Sequence, residues 1–298
     1  MPIRVSNIHL PLDHPDGAPE AAALRWLGVR AAAVRTVRLR RRSIDARRGR
    51  PIALVYQVDV EVAGDAAALL RGAGRRWRDR KVRADRLPAG RPAPPEPGTE
   101  RLRGPVAVVG AGPCGVFAAA RLVERGFRPV LLERGKPTEA RLKDLRQFRL
   151  QGRLDPESNV LFGEGGAGMF SDGKLATRNR SPLIDEVLAM LHAAGAPEHI
   201  LVDARPHVGS NLLPRILRRL RARLIAMGAA YRFETRVTGL EIAADGRVVA
   251  LRVQDRAGVP REERLEVGAV LLAAGGSARE LFASLAAAGV ALEARPTR

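Results

Sequence analysis

The chain has 298 residues, enough to bury a sizeable core and to hold one or two domains. Hydrophobic residues make up 46% and aromatic residues 4%, so the core must be mostly Ala, Leu and Val; no apolar run approaches a membrane span, and a single cysteine, Cys114, excludes an internal disulfide framework. The formal net charge of +19 suggests an anionic partner, but almost every basic residue is arginine and Ala is abundant, the signature of a GC-rich genome.

Met1-Pro-Ile-Arg4 lacks the apolar region of a signal peptide, and the expectation is a soluble cytoplasmic protein. The lysines are only Lys81, Lys136, Lys143 and Lys174. Three of them follow the glycine motif described below; chance retention on a solvated face explains each, and a site that wants a compact ammonium is the alternative, with Lys174 the best candidate.

Residues 1–87 read as a small basic α+β domain with an antiparallel sheet. Ile3 to Leu10 alternates like a strand, Pro19 to Leu27 is a short helix, and Val34 to Arg42 and Ile52 to Val62 are strands. Leu54 to Val62 keeps the period of two throughout, and Ala66 to Leu70 begins another helix. Residues 88–104 are too rich in Pro and Gly for a regular element and read as a linker. Residues 105–298 then form a Rossmann-type α/β domain with a parallel sheet.

That domain opens with strand Val106 to Val109, the turn Gly110-Ala111-Gly112-Pro113-Cys114-Gly115 and a helix Val116 to Arg125 stopped by Gly126. Gly110 permits the tight turn, Gly112 lets backbone approach a pyrophosphate, and Gly115 lets helix and strand pack closely. The helix aims its positive end at the phosphates. The second strand, Pro129 to Leu132, ends at Glu133, eighteen residues after Gly115, the spacing of a ribose-binding carboxylate. A lone glycine motif is weak, but strand, helix, second strand and acidic terminus fall here in the order of a dinucleotide site. Glu133 disfavours a 2′-phosphate, although Arg134 weakens that argument; FAD and NAD remain.

Periodicity is lost from Leu150 to Arg180, where Phe162 to Lys174 is dense in glycine. Such a run lets amides approach a flat anionic ligand, and the interleaved Phe162, Met169 and Phe170 argue against an exposed linker. Leu183 to Ala194 is an amphipathic helix, and Asn211 can cap the helix ending near Met227. Tyr231 to Ile242 and Val248 to Val253 read as a hairpin about Asp245-Gly246, with Arg232 to Val237 suiting the adenine end of a dinucleotide, and Leu265 to Ala274 as a buried strand ending at Gly275-Gly276.

Taken in order, these residues resemble the flavoproteins of the glutathione-reductase superfamily. They look most like a bacterial family of FAD-dependent dehydrogenases with a motif close to Asn159-Val-Leu-Phe-Gly-Glu-Gly-Gly-Ala-Gly-Met-Phe-Ser-Asp-Gly-Lys-Leu175. The resemblance implies an FAD-dependent oxidoreductase, with NAD(P)H as a possible electron donor. It implies that Gly110, Ala111, Gly112, Pro113, Cys114 and Gly115 line the pyrophosphate and that Glu133 binds the adenosine ribose, followed by Arg134. Gly165, Gly166, Gly168 and Ser171 would approach the flavin, Val237 would pair its backbone with adenine, and Gly275 would lie near the cofactor. Cys114 replaces a commoner alanine and reads as a small packing residue. Members of that family continue into a substrate domain and a closing FAD motif, so the expectation is a chain truncated at its C-terminus.

No general acid or base is assignable. His207 lies before the Gly209-Ser-Asn211 turn, and Asp172 and Lys174 are polar candidates at the flavin side. A rival reading is a nucleic-acid-binding protein using Arg38, Arg40, Arg41, Arg42, Arg47, Arg48 and Arg50, and the basic cluster around Trp77. A solvated basic face explains the same residues. A third reading is an inactive nucleotide-binding remnant. The substrate and oligomeric state are not legible.

Overall fold

The computed structural model describes residues 2–76, 82–86, 96, 98–177, 181–209 and 211–294. Trp77 with Arg78, Arg80 and Lys81 of its basic cluster, and most of the Pro/Gly-rich stretch, lie outside them. The chain divides into two compact units. One comprises residues 1–95, 174–192 and 197–207; the other comprises 96–173, 193–196 and 208–298. The continuous second domain expected from residue 105 is therefore interrupted, because most of 174–207 packs with the N-terminal unit.

In the first unit β1 (Pro2–Leu10), α1 (Ala18–Leu27), β2 (Val34–Asp45), β3 (Ala53–Val62), α2 (Ala66–Arg76) and β4 (Arg83–Arg86) follow one another. The strands form an antiparallel sheet in the order β2-β3-β1-β4. Period-two alternation on β3 buries Tyr56, Val58, Val60 and Val62 against Ile3, Val5 and Ile8 of β1 and Ala22, Ala23 and Leu27 of α1. The opposite face carries charge: Arg4 stands across from Asp59 and pairs with it at 2.7 Å.

The second unit begins with β5 (Val106–Val109), α3 (Pro113–Glu124), β6 (Val130–Leu132) and α4 (Thr138–Gln151). All four residues of β5 are buried, as suits the interior of a parallel sheet. Helix α3 starts at Pro113, three residues before the predicted start, because proline is well suited to the first helical position. Helix α4 has no counterpart in the sequence reading. Its buried side chains are Thr138, Arg141 and Leu145, while Leu142, Phe148 and Leu150 are exposed, so its pattern runs against ordinary amphipathicity.

Helix α5 (Ile184–Ala193) follows, within the stretch that packs mostly with the first unit. There Arg42 of β2 donates its N–H to Val202 O (2.7 Å), accepts from Ala204 N–H (2.8 Å) and pairs its side chain with Asp203 at 2.8 Å. Arg40 pairs with Asp185. Two of the arginines of the proposed nucleic-acid face are thus engaged by acids of their own unit.

The chain returns to the second unit with α6 (Leu213–Ala226), β7 (Ala230–Arg232), β8 (Thr235–Ile242), β9 (Val248–Asp255), β10 (Arg261–Glu266), β11 (Ala269–Leu272) and α7 (Arg279–Ala287). The parallel sheet has the order β11-β5-β6-β7, and β10-β9-β8 is a separate antiparallel sheet. The protein is thus a mixed α/β structure with a Rossmann-like parallel sheet.

Three expectations are corrected here. Asn211 does not cap α6: the cap position is Leu212, without a side-chain hydrogen bond, and proline lies in the first turn. Tyr231 to Ile242 is two strands in two sheets, because Glu234 takes a positive φ of 53° and turns the chain. Leu265 to Ala274 is likewise two strands, and β11 is partly exposed rather than buried, since it forms the edge of its sheet and Leu272 is 43% exposed.

Candidate functional site

At the carboxyl end of the parallel sheet, the exit of β5 passes against the exit of β11. Gly110 has φ +106°, and a Cβ there would stand 2.5 Å from Ala273 O, so only glycine fits. A Cβ on Gly115 would stand 1.9 Å from Gly110 O, so the helix can close on the turn only with glycine. Gly112 differs. A Cβ there would meet nothing nearer than Gly166 Cα at 3.8 Å, so its missing side chain leaves open space. The first intrahelical bond runs from Val116 N–H to Gly112 O (3.0 Å), and no side chain caps α3. The amides of Cys114 and Gly115 therefore lack an intrahelical acceptor.

Glu133, 5% exposed, lies across this turn. Its Oε2 accepts from Ala111 N–H (2.8 Å), and its Oε1 accepts from Gly135 N–H (2.9 Å) and Gly163 N–H (2.9 Å). One carboxylate thus ties the Gly110–Gly115 turn to the glycine-rich run. A carboxylate has about four acceptor sites, so one is left for a ligand hydroxyl.

The glycine-rich run is irregular and is held by side chains. Asn159 Oδ1 accepts from Leu161 N–H (2.9 Å). Glu164, 1% exposed, accepts from Thr138 N–H (2.8 Å), Thr138 Oγ1 (2.6 Å) and Arg221 Nη1 (2.7 Å). Burial pulls the guanidinium of Arg141 down to about 10. A short 3-10 turn, Ala167–Phe170, closes the run.

These segments enclose a cavity of about 800 Å³. Of the residues expected at the site, Gly110, Gly112, Pro113, Cys114, Glu133, Arg134, Gly166, Gly168, Val237 and Gly275 line it. Ala111, Gly115, Gly165 and Ser171 do not. Gly165 is buried beneath the wall, where a Cβ would meet Leu217 Cδ1 at 2.5 Å, and Ser171 Oγ is turned to Gly168 O (2.8 Å). Asp172 lines a different cavity with Met169 and Phe170, and Lys174 faces His207 across an isolated antiparallel bridge in the first unit.

Thr235 and Arg236, within the segment read as suiting the adenine end, line it with Val237, and several other lining residues were not foreseen, among them Thr238, Ser277 and Phe282. Arg236 donates to Glu157 Oε1 (3.0 Å) and Gln254 Oε1 (2.9 Å), but its buried Nε finds no acceptor among the described residues. Glu157 also accepts from Arg134 (2.7 Å) and pairs with Arg256 (3.3 Å), and the Arg134 guanidinium stacks on Phe162 at 3.9 Å. The arginines at the cavity rim beside Glu133 are thus held by Glu157, and Arg134 also pairs with Glu280 at 3.5 Å. Of the β8 residues at this rim, Thr238 lay beyond the segment that the sequence singled out, and only the alternation of the strand could have drawn attention to it.

Residues 108–138 match the family described as NAD(P)-binding Rossmann-like domain. Residues 2–61 match a domain of unknown function, DUF8436. Over 295 residues the chain is 31% identical to an uncharacterized protein of Clostridium beijerinckii, covering 99% of this chain and 52% of that protein. The chain thus spans about half the length of that relative. Among solved structures, Thermovibrio ammonificans THI4 is similar over 61% of each chain, with 16% identity and a TM-score of 0.40. The 3-ketosteroid-delta4-(5alpha)-dehydrogenase of Rhodococcus jostii is similar over 58% of this chain and 46% of its own, with 14% identity and a TM-score of 0.34. Among the described residues no helix is long and apolar enough to cross a membrane, and no group of His, Cys, Asp and Glu is placed to hold a metal.

Proposed function

We propose that this chain binds FAD in the cavity of its second unit and forms the cofactor-binding part of an oxidoreductase of the dehydrogenase type. The observation that carries this reading is convergence. Three glycine segments far apart in the sequence, at 110–112, 163–168 and 275–276, line one cavity of about 800 Å³, within the rough 300–1,000 Å³ range of cofactor sites. The residues fit the group. The open space at Gly112 and the unpaired amides opening α3 suit a pyrophosphate, and the remaining acceptor site of Glu133 suits a ribose hydroxyl.

Bound FAD would supply hydride or electron transfer. The chain's own residues would bind and orient it: the phosphate turn through amides, Glu133 through its carboxylate, β8 through the backbone at Val237, and the 163–168 wall by close backbone approach. NAD(P)H is the proposed electron donor. The nucleic-acid reading loses ground because Arg40 and Arg42 are engaged by Asp185 and Asp203.

The visible absorption spectrum of the purified protein, followed by calorimetry with FAD and with NAD, tests this reading. A flavin spectrum or FAD binding tighter than NAD binding is expected. NAD binding without measurable FAD binding would refute it.

A further inference from the structure

We propose that Arg141 is a positioning residue of this site: without lining the cavity, it holds residues 159–166 in the form that accepts the cofactor. This rests on the FAD reading above. Arg141 is 0% exposed. Its Nε donates to Asn159 O (2.8 Å), its Nη2 to Val160 O (2.9 Å), and its Nη1 to Gly163 O (3.2 Å), Glu164 O (2.7 Å) and Gly166 O (2.9 Å). All these acceptors are backbone carbonyls of one irregular segment. Among the described residues no carboxylate is hydrogen-bonded to the guanidinium, so the arrangement serves backbone geometry rather than charge pairing.

The consequence follows from the planar trans peptide, whose C=O and N–H point to opposite sides. The Gly163 carbonyl turns to Arg141, and the N–H of the same peptide, on Glu164, reaches Lys136 O (3.1 Å). The Glu164 carbonyl turns to Arg141, and the N–H of that peptide, on Gly165, reaches Ala111 O (2.8 Å) in the phosphate turn. Arg141 thus fixes the peptides that join the two walls of the cavity. The glycine at 163 belongs to the same device. It has φ +116°, and a Cβ there would stand 2.5 Å from Arg141 Cδ. The Phe170 ring covers the guanidinium at 4.7 Å from its centroid.

A lysine keeps the charge but offers its donors from one point, and cannot span these carbonyls. In Arg141→Lys, FAD affinity measured by calorimetry should fall roughly ten- to hundredfold. Hydrogen exchange on the cofactor-free protein should quicken across 159–170 and stay unchanged across 106–124. Gly163→Ala should weaken FAD binding too, and less so in the Arg141→Lys background, because the two changes act on one contact. Unchanged affinity overturns the proposal, whether or not the loop loosens. So does faster exchange throughout 106–124, which would make Arg141 a general core residue. If the unmodified protein binds no FAD, the functional reading fails, and the exchange data alone then decide whether Arg141 holds the wall.

Discussion

The two principal walls of the cavity are built on opposite terms. The segment at 106–115 is a strand, a turn and the start of a helix, fixed mainly by backbone packing against backbone, with one amide, Ala111 N–H, held by Glu133. The wall at 155–170 has almost no regular structure, and buried side chains fix it: Arg141 from α4, Glu133 from the end of β6, and Glu164 through Thr138 and Arg221. A regular element carries its own hydrogen-bond ladder. An irregular one needs its backbone groups satisfied from elsewhere, because an unpaired buried amide or carbonyl is costly.

The comparison can be broken first at Gly115. In Gly115→Val the side chain must enter the space of Gly110 O, 1.9 Å from where a Cβ would stand. The loss should exceed about 4 kcal/mol, the range reserved for severe steric and core defects. Thermal unfolding should show a second unit that is not cooperatively folded, and a variant with ordinary stability would mean that the turn is not held by this packing.

Glu133 tests the link between the walls. Glu133→Ala leaves the amides of Ala111, Gly135 and Gly163 without their acceptor. At about 1–3 kcal/mol for each buried unsatisfied group, the total should be at least about 3 kcal/mol, read by denaturant unfolding. A loss below about 1 kcal/mol would show that water or a local shift replaces the carboxylate and that the walls stand independently.

How legible each wall was follows from the same difference. The strand, turn and helix at 106–124 were readable because glycine spacing, apolar strands and the acidic terminus are local signals. The presence of the second wall was readable from its glycines, but its support was not. Arg141 sits in a helix whose exposed leucines and buried arginine invert the usual pattern, and its partners lie 18 or more residues away. The lining role of Thr238 was hidden for another reason: the chain turns at Glu234, so that Tyr231 to Ile242 serves two sheets. Gly165 and Ser171 carry the right residue types but face the packing around the wall rather than the cavity.

The smallest effect concerns the surface that braces β7 against the antiparallel sheet. Arg232 donates to Glu263 at 2.9 and 2.7 Å, and this holds the Glu263 carboxyl below the usual carboxylate range. A lowered folded-state pKa adds stability above the unfolded value near 4.3, and that stability is lost as pH falls through the folded value. The pair is partly exposed, so it should contribute under about 1 kcal/mol. Glu263→Gln should therefore be slightly less stable than the parent at pH 7 and equal to it at low pH. A difference that persists at low pH would assign the effect to packing instead.

The central claim is that the open space at Gly112 is where a dinucleotide phosphate lies. Because a Cβ there meets nothing nearer than 3.8 Å, Gly112→Val should fold normally. Calorimetric titration of FAD into the parent and into folded Gly112→Val measures the claim directly. The account predicts binding to the parent and none detectable to the variant; parental affinity in the folded variant would contradict it.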